Sequence, residues 1–340
     1  MQAIRAYGQV ANPQPFARSS AEPQQSAAPS EFVEEEAYET WIRLYFHERN
    51  FEELEKAAHE ARTGKGRVVG GVWKVFDFYD ALGEKAVVGE DSDTNWTAYL
   101  ETFKAWIAAK PESVTARVAL TNAYIQYAWH ARGHGYSDSV TREHWNLFEE
   151  RIELARTTLL QAARLREKCP YWFEAMQFVA LAQGWDKAPT KELLDRASAF
   201  EPAYYHYYRE YANFLLPKWY GDEGEVEAFA DELLKRPDTP DNAVTYFEVA
   251  SLIVCPCTSS SNRTDLGELS WPEIKKGYAT LDQNYGISNR KRNRFAYMAT
   301  LAKDRSAAQE AFAQIGANRD TSVWASNEFF ERVKSWANNQ

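Results

Sequence analysis

The stretch "LLDRASAFEPAYYHYYREYANFL" (193–215) decides the fold class, because it has the pattern of one helix, a stop and a second helix. Its first half repeats apolar residues at helical spacing. Pro202 ends that helix, since proline disfavours helical conformation in the residue before it and suits a new first turn. Tyr204, Tyr208 and Tyr211 follow at i, i+4 and i+7. This spacing predicts that the second helix buries its tyrosines in a helical hairpin.

The same junction recurs along the chain. Pro111, Pro170, Pro202 and Pro237 each follow a predicted helix and open the next one, with separations of 59, 32 and 35 residues. Two of the three separations are close to the roughly 34-residue period of tetratricopeptide-type helix pairs. The sequence therefore predicts helical hairpins stacked side by side.

We predict an all-α fold of tetratricopeptide-like stacked helical hairpins, which form a right-handed α-solenoid. The only alternating segment, 66–73, is too short to indicate a sheet. The predicted helices span 33–48, 51–62, 72–82, 93–109, 112–131, 142–166, 171–183, 190–200, 203–215, 223–235, 240–254, 271–284, 289–303, 305–314 and 321–337.

Composition divides the chain into two parts. Residues 1–30 are rich in Ala, Ser, Gln and Pro, which cannot bury a core, so they predict a disordered N-terminal segment. Residues 31–340 then form one helical-repeat domain. The N-terminal segment contains no apolar stretch of the signal-peptide type, which favours the cytoplasm. The periplasm stays open as an alternative if a targeting segment was removed before Met1.

The charge balance restricts the partners. The net charge of −10 argues against nucleic acid and anionic membranes, since both attract cationic surfaces. No apolar run reaches membrane-spanning length. We therefore expect a protein or peptide partner, no nucleic acid and no membrane span. The oligomeric state is left open.

One hairpin carries an insertion, the stretch "YAWHARGHGYSDSVT" (127–141), with His130 and His134 inside it and His144 just beyond. It explains the longest proline separation. In a stacked array, equivalent loops lie on the same edge, and insertions on one edge often mark the binding face. The loops predicted to share this edge are 132–141, 184–189, 216–222 and 255–270.

The candidate binding residues lie in three of these loops. Arginine and lysine could hold an anionic group there, aromatic side chains could line the surface, and histidine or aspartate could move a proton. The tryptophans have an alternative role as plugs at the open ends of their hairpins. The candidates are Arg132, His134, Tyr136, Asp138, Trp185, Lys218, Trp219, Tyr220 and Asp222.

Three stretches, "ARGHGYSDSVT" (131–141), "GWDKA" (184–188) and "YANFLLPKWYGDEGEVEAFADE" (211–232), resemble a bacterial domain family of unknown function. The resemblance covers about residues 100–250, and "LPKWYG" is its most distinctive part. Its members are thought to be tetratricopeptide-like helical arrays, so the resemblance implies an α-helical fold and no particular reaction. The matching residues are Arg132, Gly133, Gly135, Tyr136, Trp185, Pro217, Lys218, Trp219, Tyr220 and Gly221.

No complete catalytic or metal signature is present. His130 and His134 have the i, i+4 spacing of a zinc helix, but glycines interrupt the helix and no HExxH motif occurs. The three cysteines, an odd and sparse count, are interpreted as ordinary thiols. The basic run "NRKRNR" (289–294) is interpreted as a solvated helix face. No catalytic residue, metal ligand or cofactor is therefore predicted.

These observations favour a non-enzymatic protein- or peptide-binding helical-repeat scaffold. The alternative is an enzyme or small-molecule binder that uses the long-loop edge. The two differ in what the edge side chains do, because a pocket requires them to converge, whereas a scaffold allows them to pack as internal plugs.

Overall fold

The computed structural model describes residues 35–83, 92–133, 139–236, 242–255 and 263–338. These residues form fifteen α-helices and no named strand, so the predicted all-α class is confirmed. Segment 66–73 contributes one isolated bridge, between Arg67 and Trp73. The helices are α1 (Glu35–His47), α2 (Phe51–Gly64), α3 (Lys74–Ala81), α4 (Asp93–Ala109), α5 (Val114–Arg132), α6 (Arg142–Ala163), α7 (Pro170–Gln183), α8 (Lys187–Phe200), α9 (His206–Phe214), α10 (Glu225–Lys235), α11 (Asn242–Ile253), α12 (Trp271–Tyr285), α13 (Asn289–Leu301), α14 (Arg305–Ile315) and α15 (Asn327–Asn338).

Each predicted helix has an observed counterpart, and the largest boundary difference is at α15. The prediction begins at 321, whereas the helix begins at Asn327. Asp320 holds the preceding residues in a turn, because its carboxylate accepts hydrogen bonds from the backbone N–H and hydroxyl of Ser322. An aspartate side chain that binds the backbone two residues on favours a turn over a helix.

The junction prolines mark helix ends as predicted. Of the three that lie in the described residues, only one is the first residue of a helix. Pro170 is the first residue of α7. Pro111 and Pro202 lie in the turns before α5 and α9. The N-cap of α5 is Ser113, whose hydroxyl accepts a hydrogen bond from the Ala116 N–H at 2.8 Å. Pro237 lies outside the described residues.

The sequence predicts one domain over 31–340, and the structure divides these residues into two compact units. The first contains Val72–Tyr211 and the described part of Val33–Val68. The second contains Val69–Gly71 and the described part of Ala212–Gln340. In the first unit consecutive helices pack together from α1 to α3 and from α4 to α8, and helices two apart also pack, as α1 with α3, α3 with α5 and α5 with α7. The predicted disordered segment 1–30 lies outside the described residues.

The core of the first unit is aromatic. Tyr204, Tyr208 and Tyr211 are buried, as their spacing predicts. The Tyr204 Oη donates to Glu174 Oε2 at 2.6 Å, and the Tyr208 Oη donates to the Pro202 carbonyl at 3.1 Å. Large side chains with almost no exposed surface in this unit include Phe46, Trp73, Phe78, Tyr79, Trp96, Phe103, Trp106 and Tyr207.

The interpretation of "NRKRNR" as a solvated face is wrong. Lys291, Arg292 and Arg294 in α13 of the second unit are buried. The inward orientation of Lys291 and Arg294 follows from Glu248 of α11, which has no exposed surface, forms an ion pair with Lys291 and lies 4.0 Å from an Arg294 nitrogen. A buried carboxylate requires a cation or hydrogen-bond donors, so Lys291 and Arg294 turn toward it. Arg292 instead donates to Gln314 Oε1 at 3.1 Å.

The cysteine interpretation needs a similar correction. Cys255 is disulfide-bonded, whereas Cys169 is a free, buried thiol. Cys257 lies outside the described residues. Across the described chain, no helix combines the length and apolar character needed to cross a membrane.

Candidate functional site

The insertion stretch lies at the open end of the hairpin formed by α5 and α6, in the first unit. Gly133 ends α5 with φ of 73°, a left-handed conformation that favours glycine. Thr141 caps α6, since its hydroxyl accepts a hydrogen bond from the His144 N–H at 3.2 Å. His134, Tyr136 and Asp138 lie outside the described residues. The end of α5 and the start of α6 agree with the predicted helices, which end at 131 and begin again at 142.

A small cavity of about 190 Å³ opens at this end and is called the hairpin-end pocket. Its lining combines two imidazoles, one carboxylate and one guanidinium with small and apolar groups. The lining residues are Asp93, His130, Ala131, Gly133, His144, Leu147 and Arg151.

The carboxylate of Asp93 already accepts hydrogen bonds from two neighbouring side chains. Tyr127 Oη donates to Asp93 Oδ1 at 2.9 Å, and Arg151 Nη2 donates to the same oxygen at 3.2 Å. The tyrosine hydrogen bond, followed by the charge of Arg151, lowers the pKa of Asp93. Hydrogen bonds and an opposite charge both favour the ionised carboxylate.

Arg151 is equally engaged. Its Nη1 donates to the Tyr127 carbonyl at 2.7 Å, and its guanidinium carbon lies 3.2 Å from the centre of the Tyr127 ring. The side chain is 8% exposed. The charged groups of this pocket therefore bind one another, and the His130 ring also contacts the rings of Trp96 and Tyr127, with centres 5.8 and 6.1 Å away.

Arg132, the first candidate residue, is packed inside the hairpin end. It is 3% exposed, and its guanidinium carbon lies 5.5 Å from the Trp129 ring centre and 5.2 Å from that of Trp145. Nη1 donates to the Gly133 carbonyl at 3.1 Å, and burial lowers the pKa of Arg132. A guanidinium flanked by aromatic rings stabilises packing through cation–π contact. This position favours a bracing role over direct contact with a ligand.

Trp185 is half-buried beyond the end of α7. Its backbone N–H donates to the Ala180 carbonyl at 2.9 Å, and its indole Nε1 donates to Gln183 Oε1 at 3.0 Å. Gln183 also donates to Glu153 of α6 at 3.0 Å. These contacts are those of a plug that joins the end of α7 to the middle of α6, and a binding role for Trp185 stays a prediction.

In the second unit, "LPKWYG" folds back over the end of α9. The Trp219 N–H donates to the Leu216 carbonyl at 2.8 Å, and the Tyr220 ring stacks on Phe214 with centres 5.0 Å apart. A side chain at Gly221 would place its Cβ 1.8 Å from the Leu215 carbonyl oxygen, so glycine is required there. The turn is closed by backbone contact.

Two charged candidates flank this turn. Burial lowers the pKa of Lys218 to about 8, and its ammonium lies 6.0 Å from the Trp219 ring centre. Asp222 is exposed, and its backbone N–H donates to Glu225 Oε2 at 2.9 Å as α10 begins. The shared edge of the four long loops stays a prediction.

A larger surface feature is absent from the sequence-based candidates. A groove of about 480 Å³ lies along α1 and α2 in the first unit and is called the α1–α2 groove. Aromatic and charged side chains form its walls, and small residues of α2 contribute to its lining. Its lining residues are Tyr38, Trp41, Ile42, Tyr45, Glu53, Lys56, Ala57, Glu60, Ala61, Gly64, Gly66 and Lys74.

Helix α1 exposes two large apolar side chains, of which Trp41 lines the groove. Trp41 is 51% exposed, and Leu44 on the same helix is 49% exposed. The sequence signal was available: Trp41 and Tyr45 are four residues apart on α1, and Ala57, Ala61 and Gly64 follow small-residue spacing on α2. An aromatic stripe opposite a small-residue stripe leaves space between two helices.

Comparison with known proteins gives one result. Residues 38–184 match a family model described as "Domain of unknown function (DUF4034)". No curated protein and no solved structure matches. The matched part includes both the α1–α2 groove and the hairpin-end pocket.

The match supports the resemblance to a family of unknown function and changes its boundaries. It begins at residue 38 rather than near residue 100, and it ends at residue 184, before "LPKWYG". The stretch chosen as most distinctive therefore lies outside the matched part. The hairpin end at 127–141 lies within it.

Proposed function

We propose that this chain is a protein- or peptide-binding helical-repeat scaffold whose partner occupies the α1–α2 groove. The observation that carries the proposal is the exposure of Trp41, at 51%, on the wall of a 480 Å³ groove. Exposed apolar side chains grouped in a concave surface, with polar residues around them, are typical of interaction sites.

The helix packing supports stacked hairpins as the finer fold. Contacts between helices two apart, from α1 to α7, are expected when hairpins stack, because each first helix then meets the next first helix. We infer a tetratricopeptide-like, right-handed array on this basis. Such arrays offer extended surfaces to segments of other proteins.

The groove chemistry defines the kind of partner. Tyr38, Trp41 and Tyr45 supply rigid aromatic area, which is common at the energetic centres of protein interfaces. Glu53 and Lys56 supply charges of both signs beside it. A peptide segment with an apolar side chain flanked by charged residues complements this arrangement.

The alternative is an enzyme or small-molecule binder at the long-loop edge, formed by Arg132, His134, Tyr136, Asp138, Lys218 and Tyr220. His130 and His144, which line the hairpin-end pocket, favour it. The burial of Arg132 weighs against it, because that guanidinium is not presented to solvent. It predicts that His144→Ala removes binding of a small molecule, whereas Ala57→Arg in the groove does not.

A photo-reactive amino acid at position 41 tests the scaffold proposal in cells that naturally make the protein. We expect a protein adduct from position 41. Ala57→Arg should remove it, because Ala57 is partly exposed in the groove and arginine there would occupy the space. The matched control places the same group at Leu160 of α6, which is 41% exposed and lies outside the groove.

Two outcomes contradict the proposal. One is the absence of any protein adduct from position 41. The other is an adduct that forms equally well from position 160 or persists with Ala57→Arg, since either result would place the contact outside the groove.

A further inference from the structure

We propose that Lys74 selects the partner of the α1–α2 groove by binding an acidic side chain of a peptide segment whose apolar side chain packs on Trp41 and Tyr45. This inference rests on the proposed function, because it names the chemistry of the segment that the groove receives. It goes further in one respect, since it assigns the sign of the partner's charge and the residue that reads it.

The four charged side chains that line the groove differ in their partners. Glu53 and Lys56 form an ion pair at 3.9 Å, and their side chains are 42% and 64% exposed. The side chains of Glu60 and Lys74 form no ion pair or hydrogen bond with any residue that the structure describes. One acid and one base of the groove are therefore available to a partner.

Burial distinguishes these two groups. Glu60 is exposed, so water solvates its carboxylate. Lys74 is partly buried, so its ammonium has lost part of its hydration. A cation withdrawn from water without an anionic partner raises the free energy of the folded chain, and a carboxylate beside it reverses that effect. Lys74 therefore gains more from a charged partner than Glu60 does.

The fold fixes the position of Lys74 at the groove. Its backbone N–H donates to the Gly66 carbonyl at 3.0 Å. A Cβ at Gly66 would lie 3.1 Å from Lys74 Cδ, which is closer than an ordinary contact, so glycine leaves room for the lysine stem. Gly66 itself lines the groove. A stem that is packed before binding loses less entropy when its ammonium meets a ligand.

The surroundings of the ammonium also favour an anion. It lies 5.8 Å from the centre of the Tyr38 ring, where cation–π attraction offsets only part of the lost hydration. Lys74 is the first residue of α3, and the helix dipole adds partial positive charge at that end. Asp77, in the same turn, has no exposed surface and does not pair with this ammonium. A carboxylate from a partner is therefore attracted here, and a cation is repelled.

The aromatic residues of α1 set the spacing of the segment. Tyr38, Trp41 and Tyr45 follow i, i+3 and i+7, so they share one face of the helix. Tyr38 marks the position of Lys74, and Tyr45 lies about 10 Å further along the helix axis. An extended chain covers this distance in about three residues. We therefore expect an apolar residue and an Asp or Glu about three positions apart.

Selection from a library of random displayed peptides on the purified full chain tests this inference. We expect the selected peptides to combine an aromatic or aliphatic residue with Asp or Glu. Lys74→Glu reverses the charge, so the same selection should then enrich Lys or Arg instead. The acidic peptides should bind Lys74→Glu at least about tenfold more weakly than the wild-type chain, because like charges placed together oppose binding.

Matched variants separate this contact from general charge and from folding. Lys74→Gln should weaken the acidic peptides about tenfold. Lys56→Gln removes the same charge from an exposed position of the groove, so it should change their affinity by about threefold or less. Circular dichroism checks that each variant folds, and Lys74→Gln carries the test if Lys74→Glu does not.

The outcomes separate this inference from the scaffold proposal. Acidic enrichment that Lys74→Glu reverses supports the role of Lys74. Peptides that Ala57→Arg displaces, but that lack acidic residues or bind Lys74→Gln as well as Lys56→Gln, overturn that role and leave the scaffold proposal standing. Selection of no peptide that depends on Ala57 overturns both.

Discussion

The hairpin-end pocket and the α1–α2 groove lie in the same unit, yet they differ in volume, about 190 Å³ against 480 Å³, and in the use of charge. In the pocket, Asp93 and Arg151 pair with each other and with Tyr127. In the groove, Glu53 and Lys56 form an exposed ion pair at 3.9 Å, and Trp41 is 51% exposed. The difference indicates where a partner is expected: charges paired around a buried arginine stabilise the fold by themselves, whereas an exposed aromatic side chain in a groove favours a partner.

The largest expected effect in this comparison is on stability at the hairpin end. Arg151→Met should lower the free energy of unfolding by about 2 kcal/mol, because it removes two hydrogen bonds of a buried charged group. Urea denaturation measures the change. Arg156→Met on the same helix is the control, since its ion pair with Glu153 is exposed and contributes about 0.5 kcal/mol or less. Equal losses in the two variants would show that the pocket charges are not structural.

A second prediction uses pH to compare two acids of the first unit. Burial raises the pKa of Glu210 to about 7 from 4.5, so its proton is held more tightly in the folded chain. The stability due to this group is complete below pH 4.5 and is lost as the pH rises through about 7. Glu210→Gln should reduce that loss, as measured by thermal unfolding between pH 4 and 8.

Asp93 should behave in the opposite way. Its pKa is lowered, chiefly by the Tyr127 hydrogen bond, so its contribution is present at neutral pH and is lost as the pH falls below its ordinary value of 3.8. Asp93→Asn should therefore reduce the loss of stability in acid. The same pH response for both variants would refute the opposite pKa shifts assigned to Glu210 and Asp93.

The smallest expected effect on stability is at the groove. Trp41→Ala should change the free energy of unfolding by about 1 kcal/mol or less, because half of the side chain is already in water. Partner binding should be lost in the same variant. A large loss of stability would instead mean that Trp41 belongs to the core and that the groove is a packing feature.

Much of the helical pattern could be predicted from the sequence, because helix periodicity and proline are local signals. The tyrosines at 204, 208 and 211 show this, since their spacing alone predicted their burial. The predicted helices 112–131 and 142–166 likewise place the end of α5 within one residue and the start of α6 at the observed residue. Local chemistry is enough for such features.

Features that depend on distant residues could not be predicted in this way. Lys291 is buried because it pairs with the buried carboxylate of Glu248. That partner is 43 residues away in sequence, so no local pattern reveals the contact. Trp41 was missed because an exposed aromatic stripe and a core stripe have identical helical spacing.

The most direct test of the account compares photo-cross-linking from position 41, in the groove, with cross-linking from position 144, in the hairpin-end pocket. We predict protein adducts from position 41 at a yield about tenfold above that from position 144, because the pocket is small and its charges are internally paired. Adducts from position 144 with none from position 41 would contradict the account and place the binding site at the hairpin end.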